Sequence, residues 1–141
     1  MLGGFDASIG ALKPEALQQY VDDGSIELLE EVKDPVAFYG LSSVFVLPSY
    51  YREGLPRTIL EAMSCGRPVI TTDWVGCREP IKDSVNGYLV PIKNAEILSQ
   101  KMATLCDMSL AKKMGDAAYQ TCKEKYEVSL VNQQMRKIIG Y

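Results

Sequence analysis

The stretch Val44–Thr72, VFVLPSYYREGLPRTILEAMSCGRPVITT, constrains this chain more than any other. Val44-Phe45-Val46-Leu47 is a continuous apolar run stopped by Pro48, the pattern of a strand buried on both faces. Ser49 to Gly54 is a polar loop, and Pro56 fits the first turn of a helix, where a missing N–H costs nothing. Gly66 suits the left-handed position just past that helix. After Pro68, the β-branched run Val69-Ile70-Thr71-Thr72 reads as a second strand. Two buried strands joined through a helix form a βαβ unit, and such a unit implies a parallel sheet.

Two carboxylates sit in this unit at the spacing E-x7-E, Glu53 before the helix and Glu61 inside it. Free N–H groups and the macrodipole favour negative charge at a helix start. Glu53 can serve there as a stabilising anion, or the same N–H groups can hold a phosphate. Ile59, Ala62 and Met63 define the buried face, so Glu61 points away from it, beside Arg57. In its bland reading Glu61 is a solvated residue paired with Arg57. With Arg preceding Glu, that pair is worth ~0.2–0.5 kcal/mol at best.

Strands alternating with helices continue along the chain, which predicts an α/β fold with a doubly wound parallel sheet and a helical C-terminal segment. A helix runs from Lys13-Pro14 to Asp23 with Gly24 as its stop, and Ile26 to Glu30 reads as a strand. Asp34-Pro35 opens a short helix in which Phe38 and Tyr39 supply apolar contacts. Asn86-Gly87 suits a tight turn with positive φ, closed by the strand Tyr88-Leu89-Val90. Asn94 caps a helix through Leu105, Ser109 caps a second through about Lys125, and Val128 to Ile139 forms a third. In such sheets ligands bind beyond the carboxyl ends of the strands. The loops Glu30–Asp34, Ser49–Gly54 and Asp73–Arg78 are therefore expected to meet there.

Composition excludes several chemistries. The 141 residues make one domain or part of one, and the net charge of −3 is spread along the chain, without the basic patch of a nucleic-acid surface. No apolar run approaches the ~20 residues of a membrane span, and no signal peptide is expected at Met1, which leads into Leu-Gly-Gly-Phe-Asp. The chain has no histidine, which removes Ser-His-Asp and Cys-His nucleophile systems. Cys65, Cys77, Cys106 and Cys122 form no C-x-x-C pair, and their spacing suits reduced thiols in the cytoplasm. No D-x-D occurs, so a metal-dependent sugar transferase built on that motif is disfavoured and no metal site is expected.

At PSYYREGLPRTILEAMSCGRPVITTDWVGCREPIKDSVNGYLVP the chain resembles the C-terminal domain of glycosyltransferase family 4, retaining enzymes of the GT-B fold that use nucleotide sugars. The resemblance rests on P-S-x-x-x-E-G, the E-x7-E pair, E-A-M-x-C-G-x-P-V-I, the G-C-R-E turn and N-G-x-L-V-P. It implies a Rossmann-like C-terminal half of a GT-B fold. In this reading residues 1–141 are a fragment of a longer enzyme, lacking the N-terminal acceptor domain and the first strands with their Arg and Lys diphosphate partners. Sugar transfer by the chain alone is not expected.

The resemblance also implies roles. Glu53 contacts the donor's sugar hydroxyls near the reacting carbon and is the catalytic candidate. Backbone N–H groups of Gly54 and Leu55 face the sugar or diphosphate, Glu61 accepts from the ribose hydroxyls, and Val32 holds the base through backbone groups. Arg52 and Arg57 read as solvated charges, and Ser49 and Tyr50 shape the loop. The implied partners are a nucleotide-diphosphate sugar and the acceptor domain of the same parent chain. No cofactor is implied, and any membrane contact, at the inner face, runs through parts outside this chain. Two other classes remain: a nucleotide-sugar-binding module without catalysis, and a nucleotide-sugar epimerase.

Overall fold

The computed structural model describes residues 13–29, 32, 34–52 and 54–140. The chain divides into two compact units, Met1–Pro35 and Val36–Tyr141. In the first, α1 (Pro14–Asp22) ends at Gly24, whose φ is +76°. Ser25 N–H bonds to the Asp23 carboxylate at 2.8 Å, closing the turn. The strand expected over Ile26 to Glu30 is reduced to a single bridge residue, Leu29, among the described positions.

The second unit carries the elements α2 (Val36–Leu41), β1 (Phe45–Leu47), α3 (Arg57–Ser64), β2 (Val69–Thr72), β3 (Gly87–Val90), α4 (Ala95–Thr104), α5 (Met108–Lys125) and α6 (Val128–Ile139). The strands lie in the order β1-β2-β3, all parallel. Phe45 pairs with Val69 and Leu47 with Thr71, while Val69 pairs with Gly87 and Thr72 with Val90. The α/β, parallel-sheet expectation is met. β2 is buried along its whole length because it has a strand on each side. β1 is only half-buried, contrary to the sequence reading: among the described residues it pairs on one side only.

Alternation along the strands sends residues to two cores, one on each face. Val69, Phe45, Leu47 and Leu89 pack with Tyr39 of α2, with Ile59, Ala62 and Met63 of α3, and with Ala118 of α5. Ile70, Val46, Tyr88 and Val90 pack with Ile97 and Leu98 of α4 and with Ala111 and Met114 of α5. Helices therefore cover both faces, as a doubly wound sheet requires. α5 serves both cores, and at the change-over Gly115 lies so close to Gly66 that a Cβ would overlap the Gly66 carbonyl.

α3 follows from its sequence. Ile59, Ala62 and Met63 recur on one face and are fully buried. Pro56 stands at the N-cap in an extended conformation rather than in the first turn. At the other end Arg67 N–H bonds to Ala62 O at 3.0 Å and Gly66 N–H to Met63 O at 2.9 Å, with Gly66 at φ +69°. This is a Schellman stop, and glycine is the residue that enters it without strain. It turns the chain directly into β2.

Two expected features move. α5 is capped by Asp107, not Ser109: its carboxylate accepts from the Ser109 and Leu110 N–H groups at 2.9 and 3.2 Å. The turn before β3 places positive φ at Ser84, not at Asn86-Gly87. Gly87 is needed for another reason, since a Cβ there would overlap the Val69 carbonyl on the adjacent strand. Asn86 is fully buried and bonds to Lys82 N–H, Pro80 O and Thr121 Oγ1 at 2.8, 3.1 and 3.2 Å.

Candidate functional site

The carboxyl ends of β1, β2 and β3 emerge on one side of the sheet because all three run parallel. The loop after β1 is stitched to β2 by two threonine hydroxyls. Thr71 Oγ1 donates to Leu47 O at 2.7 Å, and Thr72 Oγ1 donates to Ser49 O. The β1–β2 contact thereby extends past Leu47 into the start of the site loop. Tyr50 and Tyr51 then stack at 5.2 Å with rings 17° apart, and Lys93 Nζ stands 5.0 Å above the Tyr50 ring. Lys93 holds φ at +56°, an uncommon conformation for a residue with a side chain. A cleft of about 260 Å³ opens among Pro48, Tyr50, Thr72, Val90, Lys93 and Asn94.

Gly54 and Leu55 lie in the bend that leads to Pro56 and α3. Gly54 is exposed, and a Cβ there would meet nothing within 4 Å. The protein's own packing therefore does not require glycine at this position, and space is open beside the backbone. Glu53 lies outside the described residues. Val32 is half-buried and belongs to the first unit. Of the residues picked from sequence, the structure thus groups Gly54, Leu55 and Glu61 in one segment.

Glu61 has two partners within the protein, Arg57 and Tyr39. Its Oε1 is 3.8 Å from Arg57 Nη2, and the Arg57 side chain is 91% exposed, so this pair is weak. Its Oε2 accepts a hydrogen bond from Tyr39 Oη at 3.1 Å. Tyr39 is buried in the core, with its ring edge-on to Phe45 at 5.6 Å. Burial first, and then donation to Glu61, push the Tyr39 phenol up to about 12. Its proton is thus in place at neutral pH. Tyr39 was read from the sequence as a core contact only; no local signal links it to a carboxylate 22 residues away.

The loop after β2 carries Asp73, which pairs with Arg78 at 3.1 Å across this turn. Cys77 is buried in the core. Trp74 keeps its indole N–H buried without a hydrogen-bond partner. A larger cleft of about 450 Å³ lies away from the strand ends, among Ser64, Tyr119, Cys122 and Tyr126. Burial, with Cys65 nearby, pushes the Cys122 thiol up, so no thiolate nucleophile is prepared there. Among the described residues no three His, Cys, Asp or Glu side chains converge as a metal site would, and no helix is long and apolar enough to cross a membrane.

With this geometry in hand, the family profile described as "Glycosyl transferases group 1" matches residues 7–108. The chain belongs to the group 1 glycosyl transferases. Among curated relatives it is 31% identical over 125 residues to the N,N'-diacetylbacillosaminyl-diphospho-undecaprenol alpha-1,3-N-acetylgalactosaminyltransferase of Campylobacter jejuni, covering 85% of this chain and 32% of that protein. It is 26% identical over 115 residues to the capsular polysaccharide biosynthesis glycosyltransferase CapM of Staphylococcus aureus, covering 81% of this chain and 30% of that one. This group 1 glycosyl transferase chain thus spans about a third of the length of these relatives.

Solved structures agree with the family. A glycosyltransferase from Rickettsia africae superposes with TM-score 0.80 at 28% identity, covering 88% of this chain and 34% of that one. Anabaena Alr3699/HepE, solved with UDP-glucose, gives 0.81 at 23% identity, covering 99% and 39%, and this likeness speaks to the fold. The C-terminal domain of a group 1 family protein, LpcC of Francisella tularensis, gives 0.68 at 28% identity, covering 81% of this chain and 62% of that domain.

Proposed function

We propose that this chain is the donor-binding, C-terminal half of a retaining GT-B glycosyltransferase of family 4. The complete enzyme moves a hexosyl group from a nucleotide-diphosphate sugar to an acceptor in polysaccharide or glycoconjugate synthesis. The observation that carries the reading is the segment Gly54-Leu55-α3: an open, glycine-bearing approach to a helix start, followed by a carboxylate held in place by a buried phenol. A diphosphate fits the helix start, and a charged acceptor on the same helix fits ribose hydroxyls. The relatives named for N-acetylgalactosaminyl transfer and capsular polysaccharide synthesis support the reaction class, and the neighbour solved with UDP-glucose supports the donor class. The likeness to a C-terminal domain supports the half-enzyme reading.

In this proposal Glu61 binds ribose, the Gly54 and Leu55 amides face the diphosphate or sugar, and Val32 holds the base. Glu53 bonds to sugar hydroxyls near the reacting carbon, where its help is electrostatic and positional. An N-terminal acceptor domain of the same parent chain closes the cleft. Binding requires no divalent ion, and the four free cysteines fit work in the cytoplasm, with membrane contact at the inner face left to other parts of the enzyme.

The test is a titration of the chain with UDP and UDP-glucose. Trp74 is the sole tryptophan and sits in a loop at the strand ends, so its fluorescence reports occupancy. Saturable binding is expected, with a loss of less than about tenfold, ~1.4 kcal/mol, on adding a chelator. Absence of saturable binding up to about 1 mM would overturn the donor reading. Measurable sugar transfer by the 141-residue chain alone would overturn the half-enzyme reading.

A further inference from the structure

Glu61 has two partners of opposite character. Arg57 approaches Oε1 at 3.8 Å from an almost fully exposed position. That distance is beyond a hydrogen bond, and a guanidinium in water leaves it at little cost. Tyr39 approaches Oε2 at 3.1 Å from the core. Its ring is clamped edge-on to Phe45, and its carbonyl accepts from Ser42 Oγ at 3.0 Å. The carbonyl of Ser42 in turn accepts from Arg67 Nη1 at 2.9 Å, beyond the end of α3. These bonds tie α2 to the end of α3, and the edge-on contact with Phe45 holds the phenol ring beside the carboxylate.

An ionised carboxylate offers about four acceptor positions. Tyr39 takes one of them on Oε2 and leaves Oε1, with the remaining Oε2 position, for other donors. Two adjacent hydroxyls of a ribose match that remainder. Arg57 stands where the incoming hydroxyls would displace it.

We propose that Tyr39 is the positioning residue of this site, fixing the Glu61 carboxylate so that it receives a ribose diol, while Arg57 is its exchangeable partner. The inference rests on the donor reading above. Tyr39 does not touch the ligand. It acts by removing the rotamer freedom that Glu61 would otherwise lose on binding. Burial pushes the phenol up to about 12, so at neutral pH it holds the proton that it donates to Glu61.

The experiment compares UDP with 2′,3′-dideoxyuridine diphosphate, which lacks the hydroxyls in question. Wild type, Tyr39→Phe, Glu61→Ala and the double variant are each titrated by Trp74 fluorescence, with thermal melts beside them. Wild type is expected to prefer UDP by about tenfold or more. Tyr39→Phe keeps the ring and its packing. It should weaken UDP about five- to tenfold, leave the dideoxy nucleotide unchanged, and have no further effect in the Glu61→Ala background, where no acceptor for the phenol remains.

Equal weakening of both nucleotides by Tyr39→Phe, an undiminished UDP affinity, or a loss that persists without Glu61 would each overturn the positioning role. A wild type that binds the two nucleotides alike, or neither, would overturn the ribose reading itself and this inference with it. Glu61→Asp leaves Tyr39 untouched and keeps the charge but draws the carboxylate back from the phenol. Loss of the UDP preference is expected there, and a retained preference overturns the need for a held carboxylate.

Discussion

The two ends of β2 are built on opposite plans. At its amino end the backbone is in contact on two sides: α5 passes at Gly115 against Gly66, and β3 begins at Gly87 against Val69. Neither place has room for a methyl group. At its carboxyl end the chain opens into Asp73 and Val75, both exposed, and the neighbouring β1 loop carries the exposed Tyr50, Tyr51 and Arg52. Gly54 there has nothing within 4 Å of where a Cβ would stand. Glycine therefore does two jobs in one sheet. At the amino end it satisfies the protein's own packing, and at the carboxyl end it leaves space that the protein does not fill. Substitutions at the first end should be read in stability, and those at the second in ligand affinity.

The largest effect is expected from Gly87→Ala. The added methyl meets the Val69 carbonyl, a backbone atom held in the β2 ladder, so relief requires the strands to part. A loss of about 3 kcal/mol or more in urea unfolding is expected. A loss under about 1 kcal/mol would show that the β2–β3 start is more deformable than its geometry implies.

Asn86→Ala comes next. It leaves the Lys82 N–H and the Pro80 carbonyl without their side-chain partner and unties this loop from Thr121 of α5. About 2–3 kcal/mol of stability should go, since each orphaned group carries its own desolvation cost. UDP affinity, measured well below the melting midpoint, should hold for both variants. A large affinity loss at unchanged stability would blur the division between the two ends.

The sequence made one side of this division far more legible than the other. α3 could be read because its evidence is local: Ile59, Ala62 and Met63 repeat on one face, and Gly66 ends the helix. α6 was legible for the same reason, from Val128 to Ile139. Where two residues could perform one task, the reading slipped. Asp107 and Ser109 are both good caps, and the aspartate, which reaches two N–H groups, prevails. Where the reason was a neighbouring strand, it could not be read at all: Gly87 looks like a turn glycine until Val69 lies beside it.

The candidate site shows the same split. Gly54, Leu55 and Glu61 were marked by motif, but the partner that orients Glu61 comes from α2, a helix whose Tyr39 carries only an apolar signature. Lys93 was not singled out either, since its contact with Tyr50 spans two loops that meet only when β1 and β3 flank β2.

At the carboxyl end, Glu61→Gln tests whether affinity and stability separate. Removing the charge costs a bound diol a charge-assisted hydrogen bond, roughly 1.5–3 kcal/mol, or about 10–150-fold in affinity for UDP and UDP-glucose alike. Folding should change by less than about 1 kcal/mol, because the carboxylate is one-third exposed and the amide can still accept from Tyr39. In the complete enzyme Glu53→Gln should instead lower turnover and leave UDP binding nearly unchanged. Equal losses of UDP binding in the two variants would remove the distinction between a ribose glutamate and a sugar glutamate. A melt shifted as strongly as that of Asn86→Ala would make Glu61 a structural residue.

The smallest effect is expected from Arg57→Ala, and it is informative because two roles compete for this residue. Arg57 stands in the first turn of α3, close to the helix start where a diphosphate would bind, which invites a phosphate-partner role. It also stands four residues before Glu61, in the less favourable order for a helical ion pair, at 3.8 Å and 91% exposed. Both features point to a pair worth no more than about 0.5 kcal/mol. Stability should therefore change within about 0.5 kcal/mol. UDP affinity should stay the same or rise up to about twofold, since the ligand no longer displaces a competing cation from Oε1. A phosphate partner would behave in the opposite way, its removal costing tenfold or more at low salt and less at high salt, about 1.4 kcal/mol at the threshold. Titrating UDP against Arg57→Ala at two ionic strengths decides between these. A tenfold, salt-sensitive loss would move Arg57 from the margin of the carboxyl-end site to its centre.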